Sequence, residues 1–126
     1  MTRAAITFDT GALIALERRK ERAMKIYVHA RERGFVVATP HVTLTEWWRG
    51  RTDRRDAVLA GILLETPSQE ILKIAGVALG KVRGATAIDA IVAAFAAERT
   101  GIVYTSDVDD FAALQTFFPA LRVFAV

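Results

Sequence analysis

Four carboxylates stand where they could do chemistry: Asp9 in "TFDTGALIAL", Glu46 in "TLTEWWRG", Asp89 in "AIDAIVAAFA" and Asp107 in "VYTSDVDDFAAL". The last stretch is the densest, with Asp107, Asp109 and Asp110 inside four positions and no Lys or Arg beside them. Like charges this close repel, so a positive partner must compensate them if the chain folds them together. The sequence has no cysteine, which excludes disulfides, thiol catalysis and Cys-ligated metals. Its two histidines, His29 and His41, stand singly and read as ordinary surface or cap-proximal residues. Acids without His or Cys are the donor set of a hard, oxygen-seeking cation such as Mg²⁺ or Mn²⁺.

Each acid also has a plain structural use. Asp9 suits a helix N-cap, and Asp89 the acidic third position of a capping box opened by Thr86. Asp107 and Asp110 suit a helix start, where the dipole favours negative charge. Glu46 suits an ion pair with Arg49. Taken together the four are more telling, because at least two are sent to one place by the elements that carry them.

Those elements alternate. "AAITF" (4–8) is a continuous apolar run with β-branched and aromatic members and reads as a buried strand. A helix follows through "ALIALERR", and a second from about Lys20 to Arg33 stops at Gly34. "FVVAT" (35–39) is the next strand, and Pro40 sets up a helix through "HVTLTEWWRG" that Gly50 ends. Asp53 is expected to cap a helix to about Gly61, and "ILLET" is a short third strand. Ser68 opens a helix that ends near Gly84, and Thr86 opens the Ala-rich "AIDAIVAAFAAERTG". "IVYT" (102–105) is a strand, the aspartate cluster opens a helix, and "LRVFAV" is the last strand.

Strands alternating with helices imply a mainly parallel sheet of about four to five strands covered on both faces, a three-layer α/β/α sandwich. At 126 residues and 52% hydrophobic, one domain spanning 1–126 with a substantial core is expected. No segment approaches the ~20 apolar residues that cross a bilayer, and the N-terminus lacks a signal-like apolar stretch. A cytoplasmic protein with no membrane partner is the expectation. In an open parallel sheet, ligands bind beyond the carboxyl ends of the strands, where strand order reverses. Asp9 follows the first strand directly and Asp107 follows "IVYT" after Ser106, so both reach that edge.

The formal charge of +3 is unevenly spread. Eleven of the 17 Lys and Arg lie between Arg18 and Arg55, opposed only by Glu21, Glu32, Glu46 and Asp53. Such a stretch suits a polyanion such as nucleic acid, or else forms a solvated helix face. Arg49, Arg51, Arg54 and Arg55, just beyond Glu46, are the expected phosphate contacts. Trp47 and Trp48 flank Glu46; at most one can face a cleft and stack on an unpaired base, and core or interface packing is the commoner use.

In order and context, Asp9, Glu46, Asp89 and Asp107, with "TSD" followed by "DDF", resemble the PIN domain, specifically the VapC-type toxin ribonucleases. The similarity spans nearly the whole chain. It implies a metal-dependent endoribonuclease using Mg²⁺ or Mn²⁺, usually dimeric and inhibited by a partner antitoxin. Carried over by position, Asp9, Glu46, Asp89 and Asp107 are the four site acids, with Asp9, Asp89 and Asp107 as metal ligands and Asp110 as an accessory acid. Glu46 would hold a second metal or position the attacking water. The dimer and antitoxin surfaces are expected on "ALIALERRKERAMKIYVHA" and "TLTEWWRG". The alternative is a non-catalytic α/β module whose acidic Mg²⁺ pocket serves RNA or partner binding.

Overall fold

In the computed structural model, which describes residues 4–126, five strands form one all-parallel sheet in the order β3-β2-β1-β4-β5. The strands are β1 (Ala5–Phe8), β2 (Val36–Pro40), β3 (Leu63–Glu65), β4 (Ile102–Thr105) and β5 (Arg122–Ala125). Strand order runs outward from β1 through β2 to β3, then returns to β4 on the other side of β1. The switch point is therefore the β1–β4 seam, where Phe8 pairs with Tyr104. All four residues of β1 are buried, as expected of a parallel strand covered on both faces.

Registered partners share a face, so the two faces build separate cores. Ile6 and Phe8 pack with Val37 under α1 (Thr10–Glu17) and α2 (Glu21–Glu32), joined by Trp47 and by Val58 of α4 (Asp53–Gly61). On the opposite face Ala5, Ala38 and Val103 lie against α6 (Ala87–Ala97), with α5 (Gln69–Lys81) and α7 (Ala112–Phe117) outside it. Small side chains let α6 come close: Ala90, Ala93 and Ala96 are fully buried. Gly34 closes α2 at φ 82, a left-handed conformation that glycine adopts without strain.

Two expectations change. α4 is capped by Thr52, whose hydroxyl accepts from the Arg55 amide at 3.1 Å, because Asp53 is already the first helical residue. The helix expected through "HVTLTEWWRG" shrinks to a 3₁₀ turn (His41–Thr43) and one α-turn, α3 (Leu44–Trp47). Burying Trp47 beside Trp48 turns the backbone extended at Trp48, which ends the helix before Gly50. Of the large apolar residues in the first two helices and "TLTEWWRG", Leu13, Leu16 and Trp47 are buried, Ile14, Met24, Ile26, Tyr27, Leu44 and Trp48 are half-buried, and Val28 is exposed. Leu72, Ile74 and Val77 of α5 are also exposed. Among the described residues no helix is long and apolar enough to cross a membrane.

Candidate active site at the sheet switch point

At the carboxyl end of β1 the chain turns sharply into α1. Asp9 is extended (φ −84°, ψ −177°), its amide donates to the Tyr104 carbonyl of β4 at 3.2 Å, and its Oδ1 accepts from the Ala12 amide at 2.8 Å. Asp9 is thus a helix cap and a candidate ligand at once. It is 7% exposed, and burial pushes its carboxyl up to about 6. The Thr105 hydroxyl and the Ala12 amide oppose that rise, while the charges of Asp89 and Asp110 add to it.

Asp89 enters from the other core. Thr86 caps α6 by accepting from the Asp89 amide at 3.1 Å, which leaves the half-buried Asp89 side chain at the helix mouth. Desolvation raises its pKa, the Thr86 hydroxyl lowers it, and the charges of Asp110 and Glu46 raise it further. Glu46, exposed on α3, has its Oε1 held by the Thr10 hydroxyl at 2.7 Å. Asp110 sits on the 3₁₀ turn Val108–Phe111 that follows β4.

These residues line one open cleft of about 510 Å³: Asp9, Glu46, Asp89 and Asp110 with Thr10, Gly11, Thr45, Arg49, Thr86 and Ser106. Asp107 is not among them. Its Oδ1 accepts from the Asp109 amide at 3.1 Å, capping the turn that carries Asp110. From the β4 end Asp110, expected as an accessory acid, lines the cleft, while Asp107 commits one carboxylate oxygen to a cap, as Asp9 does. Gly11 is required by close approach: a Cβ there would lie 2.0 Å from Ser106 Oγ and 3.0 Å from Ser106 Cβ.

Of the four arginines, Arg49 lines the cleft. Its guanidinium folds back to donate to the Thr45 and Trp48 carbonyls at 3.2 and 2.8 Å. Arg51 is paired with Asp56 at 2.6 Å and Arg55 with Glu17 at 3.3 Å, while Arg54 borders a separate cavity of about 210 Å³ among α1, α2 and α4. Neither tryptophan lines the cleft; Trp47 is core, and Trp48 meets it edge to face at 5.9 Å. His41 starts a surface turn, and His29 lines an apolar groove of about 740 Å³ beneath α2.

No family model and no curated protein matches the sequence. Solved structures do. A chain of VapBC2 from Rickettsia felis, bound to a DNA fragment from their promoter, aligns over 96% of this chain and 98% of its own, with TM-score 0.68 and 10% identity. PAE2754 from Pyrobaculum aerophilum aligns over 94% and 91%, with TM-score 0.55 and 23% identity. VapBC-5 from Mycobacterium tuberculosis, a member of the VapBC family of toxin-antitoxin systems, aligns over 98% of both chains, with TM-score 0.52 and 26% identity. Over nearly its whole length the chain shares the fold of these VapBC structures, as the resemblance read in the sequence implied.

The donor set suits a hard cation: four carboxylates line one cleft, and the most buried has a raised pKa that an adjacent positive charge would reverse. Among the described residues no three His, Asp or Glu side chains stand close enough together to hold a metal ion as they are placed. Sequence reasoning had no means to find the Thr10–Glu46 bond, which spans 36 residues. The Gly11–Ser106 contact was signalled only by a glycine directly inside a helix start.

Proposed function

We propose that this chain is a metal-dependent endoribonuclease and the toxin half of a toxin–antitoxin pair. One observation carries the reading: carboxylates from both cores, Asp9 and Asp89, meet at the switch point with Glu46 and Asp110 facing them across an open cleft. Mutual repulsion and burial make that cluster costly without a cation, so it has no rationale as capping alone.

Asp9 and Asp89 are proposed to hold Mg²⁺ or Mn²⁺ directly or through water, with a further carboxylate from the β4 end. Asp110 supplies it, and Asp107 fixes the turn that aims Asp110. When bound, the ion supplies Lewis-acid stabilisation of phosphate charge and lowers the pKa of water. Glu46, held by Thr10, orients the attacking water or receives its proton. Arg49 is the arginine poised for a substrate phosphate, exchanging its carbonyl partners for phosphate oxygens. The open cleft and flanking basic helices accommodate a polyanion, for which phosphate neutralisation supplies most of the affinity. An antitoxin partner is supported by the VapBC neighbours, a homodimer by the apolar groove that Met24, Ile26 and Val28 of α2 border, and cytoplasmic action would follow from an RNA substrate.

The test is direct. Full-length protein should cleave single-stranded RNA with Mg²⁺ or Mn²⁺ and stop in EDTA. Cleavage that persists in chelator removes the metal; metal binding without cleavage leaves a non-catalytic acidic pocket instead.

A further inference from the structure

The helix that carries Glu46 cannot hold itself. α3 is one four-residue turn whose N-cap, Thr43, makes no side-chain cap bond. Trp48 follows in extended conformation and Gly50 at φ 101. A turn this short is unstable alone, because nucleation fixes several dihedrals for one hydrogen bond.

Two contacts to α1 fix it from outside. The Thr10 hydroxyl donates to Glu46 Oε1 at 2.7 Å, and the Trp47 indole N–H donates to Glu17 Oε1 at 2.8 Å. Thr10 and Glu17 are two turns apart on α1, about 10 Å along one side of the helix. Trp47 is 2% exposed, so without Glu17 its indole N–H would be a buried donor with no partner. Glu17 itself ends α1, where the helix dipole disfavours a carboxylate, and its side chain is 18% exposed. Arg55 compensates it, with Nε 3.3 Å from the same oxygen, and also donates to the Gly50 carbonyl at 3.0 Å. α1, α3 and α4 therefore meet at one carboxylate that helix energetics alone would not place there.

We propose that Glu17 is a positioning residue: through Trp47 and Arg55 it fixes α3 and so aims Glu46 across the cleft at Asp9 and Asp89. The consequence for rate rests on the nuclease reading; the fixing of α3 does not.

The experiment compares full-length wild type with Glu17→Ala, Glu17→Gln and Trp47→Phe. Gln keeps an oxygen acceptor for the indole, and Phe keeps an aromatic ring without its N–H. The first readout is hydrogen exchange at the Trp48 amide, which bonds the Leu44 carbonyl at 2.8 Å, measured against amides of α6. Glu17→Ala and Trp47→Phe should each speed Trp48 exchange about tenfold and leave α6 unchanged. In Mn²⁺ their kcat on RNA should fall about tenfold with KM within about twofold, whereas Glu17→Gln stays within about threefold of wild type. In a Glu46→Gln background, Glu17→Ala should lower kcat no further. Unchanged Trp48 exchange in a folded Glu17→Ala, a Gln variant as impaired as Ala, or additive loss in the double variant would overturn the proposal. If Glu17→Ala fails to fold, Trp47→Phe decides the same question. Absence of RNA cleavage by the wild type would refute the nuclease reading, while exchange at Trp48 would still decide the role of Glu17.

Discussion

One wall of the acidic cleft is core and the other is surface. Asp9 closes a fully buried strand and Asp89 opens a helix of buried alanines, and both carboxyls are pushed up by desolvation. Glu46 rides a single helical turn and Asp110 a 3₁₀ turn, and both are exposed. The buried wall carries its charge at a free-energy cost that a bound cation would relieve. The exposed wall costs little and depends on outside contacts, such as Thr10 to Glu46, for its aim. Removing an acid should therefore alter stability on the buried wall and leave it nearly untouched on the exposed one.

The largest effect is expected at Asp9. Asp9→Asn keeps an oxygen for the Ala12 amide but removes the buried charge, so RNA cleavage should fall about a hundred- to thousandfold. The pH dependence has a definite sign. With its carboxyl at about 6 against an ordinary 3.8, Asp9 holds its proton more tightly in the folded chain. Its contribution favours folding below pH about 4, and that contribution is lost as pH rises to about 6. The difference corresponds to about 3 kcal/mol. Metal-free Asp9→Asn should lack this loss and exceed wild type in stability at pH 7. Denaturant melts from pH 4 to 7.5 check this, and a wild-type slope in the variant would break the contrast between the walls.

Gly11→Ala comes next, because it forces the walls apart. The added methyl meets Ser106 Oγ and Cβ, and rotating the hydroxyl away relieves only the first. A loss of about 1–3 kcal/mol is expected from thermal unfolding, with cleavage reduced as well. Restored stability in Gly11→Ala with Ser106→Gly would assign the loss to that contact.

The exposed wall sharpens the comparison. Glu46→Gln and Asp110→Asn should each stay within about 0.5 kcal/mol of wild type without metal. Both should lower cleavage, and Asp110→Asn should also shrink the thermal stabilisation given by added Mg²⁺. Asp107→Ala should behave oppositely, losing about 1 kcal/mol with its cap and keeping most of the metal response. If Asp107→Ala instead abolishes that response, the β4 carboxylate in the site is Asp107.

The smallest effects concern the arginines. Arg49→Ala should raise KM for RNA with apo stability unchanged, since it lines the cleft and bonds only local carbonyls. Arg55→Ala should act through stability, because it leaves Glu17 half-buried and without its cation. Unfolding curves beside steady-state kinetics separate the two.

Much of this was legible in the residues. Continuous apolar runs marked the strands, Ser68 and Thr86 marked helix starts, and the alternation of elements fixed a parallel sheet. Asp9 and the acids after "IVYT" were legible as strand-end residues because direct sequence adjacency leaves them nowhere else to go. Side-chain direction one turn later was not legible. Asp107 and Asp110 are both aspartates at one short turn, yet one accepts from a backbone amide and the other lines the cleft. The same limit applies to Arg49 among four arginines and to Trp47 beside Trp48: helix phase near a broken turn depends on which ring the core accepts.

The sequence by itself determined which elements form and which acids reach the sheet's edge, because periodicity, caps and chain continuity are local properties. The tertiary structure alone decided that β1 and β4 are neighbours, that Asp9 is buried to a carboxyl of about 6, and that Glu46 is held by Thr10. Those outcomes depend on contacts between residues 36 to more than 90 positions apart, and only packing brings such residues within hydrogen-bond or Coulomb range.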